Sequence, residues 1–184
     1  MHIDKEYFQR AFSDLEEKLT GYTLPMWEEL PDLELYMDQV VSMLNKYLSI
    51  FYEKLGEEKA ITPSMINNYV KLKIIPPPEK KKYSKVHLAY LLILCTLKQT
   101  LDIATIQKII PLGIEEAEVK TIFDSFVKNQ KKAFSYVIEN TKTVVEPVLK
   151  FESHSQERLN DLLMQVSASA NIFKIFTEKI TRQP

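Results

Sequence analysis

AITPSMINNYVKLKIIPPPEKKKY, residues 60–83, joins a short capped helix to a proline-bounded basic turn. Thr62 followed by Pro63 is a helix start with a mechanism: the Thr hydroxyl can accept a free backbone N–H, and proline at the first helical position has no N–H to lose. Ile66, Tyr69, Val70 and Ile74 recur at three- and four-residue spacing, which predicts one buried face. Ser64, Asn67, Asn68, Lys71 and Lys73 then fall on the other face. Pro76, Pro77 and Pro78 forbid continuation of the helix, and Glu79-Lys80-Lys81-Lys82 makes a charged tip before Tyr83 restarts an apolar pattern. A short helix followed by a tight basic wing is the recognition half of a winged helix-turn-helix.

On both sides the pattern stays helical. Upstream, DKEYFQRAFSDLEEKL places Phe8, Phe12, Leu15 and Leu19 on one stripe, ended by Gly21. A linker with two prolines holds Trp27, read as an anchor for the loop. Asp32 is the expected cap of a long helix in which Leu33, Met37, Val40, Leu44, Leu48, Phe51 and Leu55 repeat, with Gly56–Lys59 as the turn into the recognition helix. Downstream, Ser84 caps a helix to about Thr100 whose centre, AYLLILCTL, is apolar nearly all round and so must be covered on most sides. His87 on this helix is expected to be exposed. Asp102 caps a short helix to Ile110, stopped by Pro111-Leu112-Gly113. Glu115 and Glu116 suit the first turn of a helix running to about Val145, with a stripe of Val119, Ile122, Phe123, Phe126, Ala133, Phe134, Val137 and Thr141 that marks a dimer element. A last amphipathic helix spans roughly residues 155–180, with small residues in VSASAN allowing close approach.

Three glycines in 184 residues, one cysteine and few alternating β-branched runs predict an all-α protein. The sole cysteine, Cys95, excludes a disulfide or a multi-cysteine metal site within one chain, and points to the cytoplasm. The N-terminus has no basic region followed by an apolar core, and the longest apolar run, Leu88–Leu97, is about half of a membrane span. Net charge is −1, but unevenly spread: residues 1–60 hold six Lys and Arg against thirteen Asp and Glu, whereas residues 61–100 hold seven Lys against Glu79. A basic block confined to the helix-wing segment is the footprint of a polyanion binder. His2, His87 and His154 are isolated, and no HExxH, CxxC, glycine-rich phosphate loop or nucleophile elbow occurs, so no enzyme, metal or cofactor is expected.

From Ala60 to Ile110 the chain resembles the DNA-binding domain of the MerR family of bacterial regulators. Thr62 stands for the helix cap, Tyr69 for the tyrosine ending the helix, Ile74-Ile75-Pro76 for the apolar exit, and Tyr83-Ser84 for the start after the wing; SKVHLAYLLILCTLKQ and DIATIQKII follow as the two further helices. With WEELPDLELYMDQV in front, residues 24–130 resemble more closely a bacterial family of unknown function carrying such a MerR-like region. Asn67 stands where the regulators usually have Arg, Lys73 where they have Gly, and the wing is shorter. The resemblance implies a homodimeric transcriptional regulator of double-stranded DNA, with residues 1–112 as N-terminal helices plus winged helix-turn-helix (core 33–110) and residues 113–184 as the dimerisation region. Asn67 and Asn68 are the candidate base readers, since an Asn amide pairs bidentately with adenine. Lys71, Lys80, Lys81, Lys82 and Lys85 are candidate phosphate grips, with Thr62, Ser64, Lys73 and Tyr83 completing the surface and Tyr69 divided between the core and a phosphate contact. No segment resembles an effector domain. The competing expectation is a protein-interaction module that keeps the winged shape without binding DNA, favoured by the missing Arg and the acidic first third.

Overall fold

A computed structural model describes residues 5–52, 61–150 and 155–181. The expected Gly56–Lys59 turn, with Leu55, lies outside the described residues. The described chain is mostly helical: α1 (Lys5–Gly21), α2 (Met37–Tyr47), α3 (Ser49–Tyr52), α4 (Pro63–Lys71), α5 (Lys85–Leu97), α6 (Ile103–Ile109), α7 (Glu116–Lys150) and α8 (Ser155–Thr181), plus two short strands, β1 (Leu35–Tyr36) and β2 (Lys82–Tyr83). The all-α expectation holds apart from that ribbon.

Residues 24–128 form one compact unit. Its centre is α5, in which every residue from His87 to Cys95 is buried. A helix apolar on all sides has no solvent face, so neighbours must surround it. Val40 and Leu44 of α2, Leu48, Ile66 and Tyr69 of α4, Ile74, Ile75, Ile106 of α6, and Val119 and Phe123 of α7 complete the core. Each such side chain contributes about 1.5–3 kcal/mol by leaving water. Trp27 anchors its loop as expected: its backbone N–H donates to Asp124 Oδ1 at 2.8 Å, and its ring meets Phe123 edge-on at 6.4 Å.

One expectation is corrected here. The long helix from Asp32 to Leu55 is instead β1, then α2, then a break at Leu48 before α3. Asp32 caps nothing; the backbone N–H of Tyr36, at the start of α2, donates to Gln39 Oε1 at 2.9 Å. The physical reason is Leu-Glu-Leu-Tyr, whose alternation suits a strand, and whose partner β2 lies almost fifty residues away. Leu35 pairs with Tyr83 and Tyr36 with Lys82, antiparallel. The stripe on α7 is covered only at its start: Val119 and Phe123 are buried in this same unit, whereas Ala133 and Val137 further along it are exposed.

The other unit comprises α1 and residues 129–180. Phe8 stacks on Phe12, Tyr22 meets Phe134 edge-on at 5.5 Å, and Lys142 pairs with Glu16. Val145, Leu159 and Leu162 are its buried large side chains among the described residues. Most of the apolar surface of α8 beyond Leu162 is exposed.

Candidate nucleic-acid interface

Both ends of α4 are fixed by local chemistry. At its start Thr62 Oγ1 accepts from Met65 N–H at 3.3 Å, and Pro63 occupies the first turn. At its end Lys73 is left-handed (φ 55°), its N–H donates to Val70 O at 2.9 Å, and Ile74 N–H donates to Tyr69 O at 3.0 Å. This paired closure is a Schellman motif, and Tyr69 and Ile74, both buried, supply its hydrophobic contact. Glycine usually fills the left-handed position, because a Cβ is strained there.

A third constraint was not legible in the sequence. Asn45 on α2 takes hold of Ile61, the residue before the cap: Asn45 Oδ1 accepts from Ile61 N–H at 2.9 Å, and its Nδ2 donates to Ile61 O at 3.0 Å. A side-chain amide thus matches a backbone amide and ties the entry of α4 to α2. Nothing marks Asn45 in the sequence, because the pairing depends on how two helices pack.

With Ile66 and Tyr69 buried, the outward face of α4 presents Ser64, Asn67, Asn68 and Lys71, all exposed. They lie at i, i+3, i+4 and i+7, one continuous stripe. Thr62 and Lys73 are exposed at either end. The carboxamides of Asn67 and Asn68 each offer both a donor and an acceptor to a partner.

The expected wing takes a different form. Lys82 N–H donates to Glu79 O at 2.8 Å, closing a turn whose two central residues, Lys80 and Lys81, are both left-handed (φ 48° and 66°). The strand leaving this turn pairs with β1, and meets the chain entering the turn at a single antiparallel bridge, Glu79 with Lys82. Lys80 and Lys81 project into solvent with no ion-pair partner among the described residues. Lys82 and Lys85 are engaged within the chain. Lys82 Nζ lies 3.6 Å from Glu34 and 5.7 Å from the centre of the Tyr36 ring. The Lys85 side chain is 11% exposed, 2.6 Å from Asp32 and 5.5 Å from the centre of the Trp27 ring.

Tyr69 is buried, as its place on the apolar face of α4 predicts, which leaves no ring surface for the phosphate contact, and Tyr83, expected on the binding surface, is also a core residue. Burial raises the pKa of both phenols. His87 is likewise corrected, being 6% exposed. Its Nδ1 accepts from Ser84 N–H at 3.0 Å, and its Nε2 lies 3.2 Å from Pro77 O. The neutral tautomer protonated at Nε2 satisfies both contacts. Tyr83 stands edge-on to the imidazole at 5.5 Å. One buried histidine therefore clamps the proline loop to the start of α5, and burial holds its pKa below the usual range. Among the described residues no three His, Cys, Asp or Glu side chains converge to hold a metal ion, and no helix is long and apolar enough to cross a membrane.

No curated protein and no solved structure shows significant similarity to the chain. A family model described as a domain of unknown function, DUF1836, matches residues 25–137, which take in β1, α2, α4, the basic turn, α5 and α6. The clamps described above all lie within that match, and the chain belongs to the DUF1836 family.

Proposed function

We propose that this protein is a homodimeric, sequence-specific DNA-binding regulator that lays α4 in the major groove. The observation that carries the reading is the exposed stripe Ser64, Asn67, Asn68 and Lys71 on a helix fixed at both ends, flanked in the chain by the exposed Lys73, Lys80 and Lys81. A helix with amide side chains outward and its apolar face buried can offer bidentate hydrogen bonds to base edges while ammonium groups meet phosphates. The sequence of helices around α4, with a basic turn before α5, supports a MerR-like winged helix-turn-helix with a short wing. Residues 60–110 carry that likeness. In this reading Asn67 and Asn68 read bases, Lys71, Lys73, Lys80 and Lys81 grip phosphates, and Tyr69, Tyr83, Lys82 and Lys85 build the platform. The chemistry is binding rather than catalysis, and the cytoplasm is its setting.

One observation favours a second reading, a winged protein-interaction module without DNA. Lys82 and Lys85, two of the basic residues in the block, are held against Glu34 and Asp32 of the chain itself. Selection from a random duplex library by the purified full-length chain separates the two. Enrichment of one sequence motif supports the regulator. Recovery of an unenriched library overturns it and leaves the protein-interaction module.

A further inference from the structure

The C-terminal helix carries two stripes, of which the fold buries only the start of one. Leu159 and Leu162 are buried, and Val166, Ser169 and Phe173 continue that side along a groove of about 460 Å³ shared with Tyr136, Val137 and Thr141 of α7. About a third of a turn away lies a second stripe: Glu157, Asp161, Met164, Ala168, Ile172, Ile175 and Lys179. All seven are exposed, Met164 by 71% and Ile172 by 65%.

The spacing of this stripe is four, three, four, four, three, four, an eleven-residue period that keeps the stripe almost parallel to the helix axis and so able to face a partner helix along its length. It is also the same read backwards. Its centre, Ala168, is the middle residue of the 27 in α8. Turned end for end about Ala168, the stripe sets Met164 against Ile172 of a second copy and the acidic end, Glu157 and Asp161, beside Lys179. The middle of the helix, Ser167-Ala168-Ser169-Ala170, carries only small side chains, so two axes can approach closely there. A two-fold axis demands this kind of self-complementarity.

We infer that the second stripe of α8 is the homodimer interface, occupied by α8 of a second copy running antiparallel, with Ala168 on the two-fold axis. This rests on the homodimer in the proposed function and moves the pairing from α7, whose Val119, Phe123 and Val127 are already covered within the chain. Area agrees with the assignment. Met164, Ile172, Ile175 and the flanking Phe176 together expose roughly 500 Å² in each copy, so a pair buries about 1,000 Å², the total that a specific interface has to clear. A patch of that size is in the range of the largest that a monomer exposes, and patches of that rank are often functional.

Sedimentation equilibrium of the full chain at tens of micromolar, without DNA, should give a dimer mass. Ile172→Glu combined with Ile175→Glu should give a monomer of unchanged far-ultraviolet circular dichroism, since both side chains face water in the single copy. Val137→Glu on α7 should leave the dimer intact. Glu157→Lys should weaken the dimer about tenfold, because symmetry breaks two charge pairs at once, and Lys179→Glu in the same chain should restore it. The geometry of pairing is read by cysteine scanning. Cys95 is fully buried, with its thiol pushed up to about 12, so it does not compete. Oxidised Ala168→Cys should form a covalent dimer, whereas Met164→Cys or Ile172→Cys should do so only when combined. A monomer mass for the unaltered chain, a dimer indifferent to Ile172→Glu with Ile175→Glu, or single-site cross-links all along the stripe, as a parallel pair would give, each overturns the assignment. A dimer that passes these tests but enriches no DNA removes the DNA reading and leaves this interface standing.

Discussion

Lys85 reaches Asp32 across 53 residues of chain, Nζ to Oδ1 at 2.6 Å, and holds its ammonium 5.5 Å from the centre of the Trp27 ring. Its charge is therefore committed before any partner arrives, as is that of Lys82 beside Glu34. Lys80 and Lys81 are not so held. Changing Lys80 and Lys81 to Gln should flatten the slope of log affinity against log salt by roughly 3 to 4 in a dimer that uses both in each copy. The pair Lys82→Gln and Lys85→Gln should change that slope little and lower the melting temperature instead. Fluorescence anisotropy across a salt series, with thermal melts, reads both; equal slopes for all variants would make the turn a solvated loop.

Asn67 and Asn68 should fail in the opposite way. Their replacement by Ala should leave the salt slope nearly intact and cost on the order of 1–3 kcal/mol of discrimination for each lost base contact. The measurement is competition between a selected site and a scrambled duplex at fixed salt. Loss of affinity for both duplexes alike would place these residues on the backbone, not the bases.

Lys73 separates a fold effect from a binding effect at one position. Its left-handed backbone costs about 1–2 kcal/mol in a residue with a Cβ, and glycine relieves this at an entropic cost of about 0.5–1 kcal/mol. Lys73→Gly should therefore raise stability by about 0.5–1 kcal/mol in chemical denaturation, while reducing the salt slope of DNA binding by about 0.9 per copy. Lys73→Ala should reduce the slope equally without the gain in stability.

His87 gives the fold a pH dependence whose sign follows from its burial. Its folded pKa lies below the usual value of 6.5, because desolvation disfavours the charged ring. The unfolded chain thus binds a proton more readily, and stability falls as pH drops below about 6.5 and continues to fall until the folded pKa is passed. Above pH 7 the full contribution is present. The denaturation midpoint should decline between pH 7 and pH 5, and His87→Gln should remove the part of this decline due to the imidazole. A decline of the same size in the variant would assign it to carboxylates elsewhere.

Local chemistry in the sequence determined the start of α4, the short α6, the all-round burial of α5 and the anchoring of Trp27. A Thr-Pro cap, an Asp cap, an unbroken apolar run and a tryptophan between prolines each act within a few residues of themselves. The stripe Ser64, Asn67, Asn68 and Lys71 was legible for the same reason, since helical period alone assigns its side. Tertiary structure decided which of the lysines remain available. Glu34 and Asp32 meet Lys82 and Lys85 only because β1 pairs with β2, a register set by two segments far apart in the chain. It also decided that Asn45 would hold Ile61, that His87 would be buried beneath the proline loop, and that Val119 and Phe123 at the start of the α7 stripe would be covered. Periodicity fixes which side chains share a face of a helix; what covers that face is set by packing between elements distant in sequence.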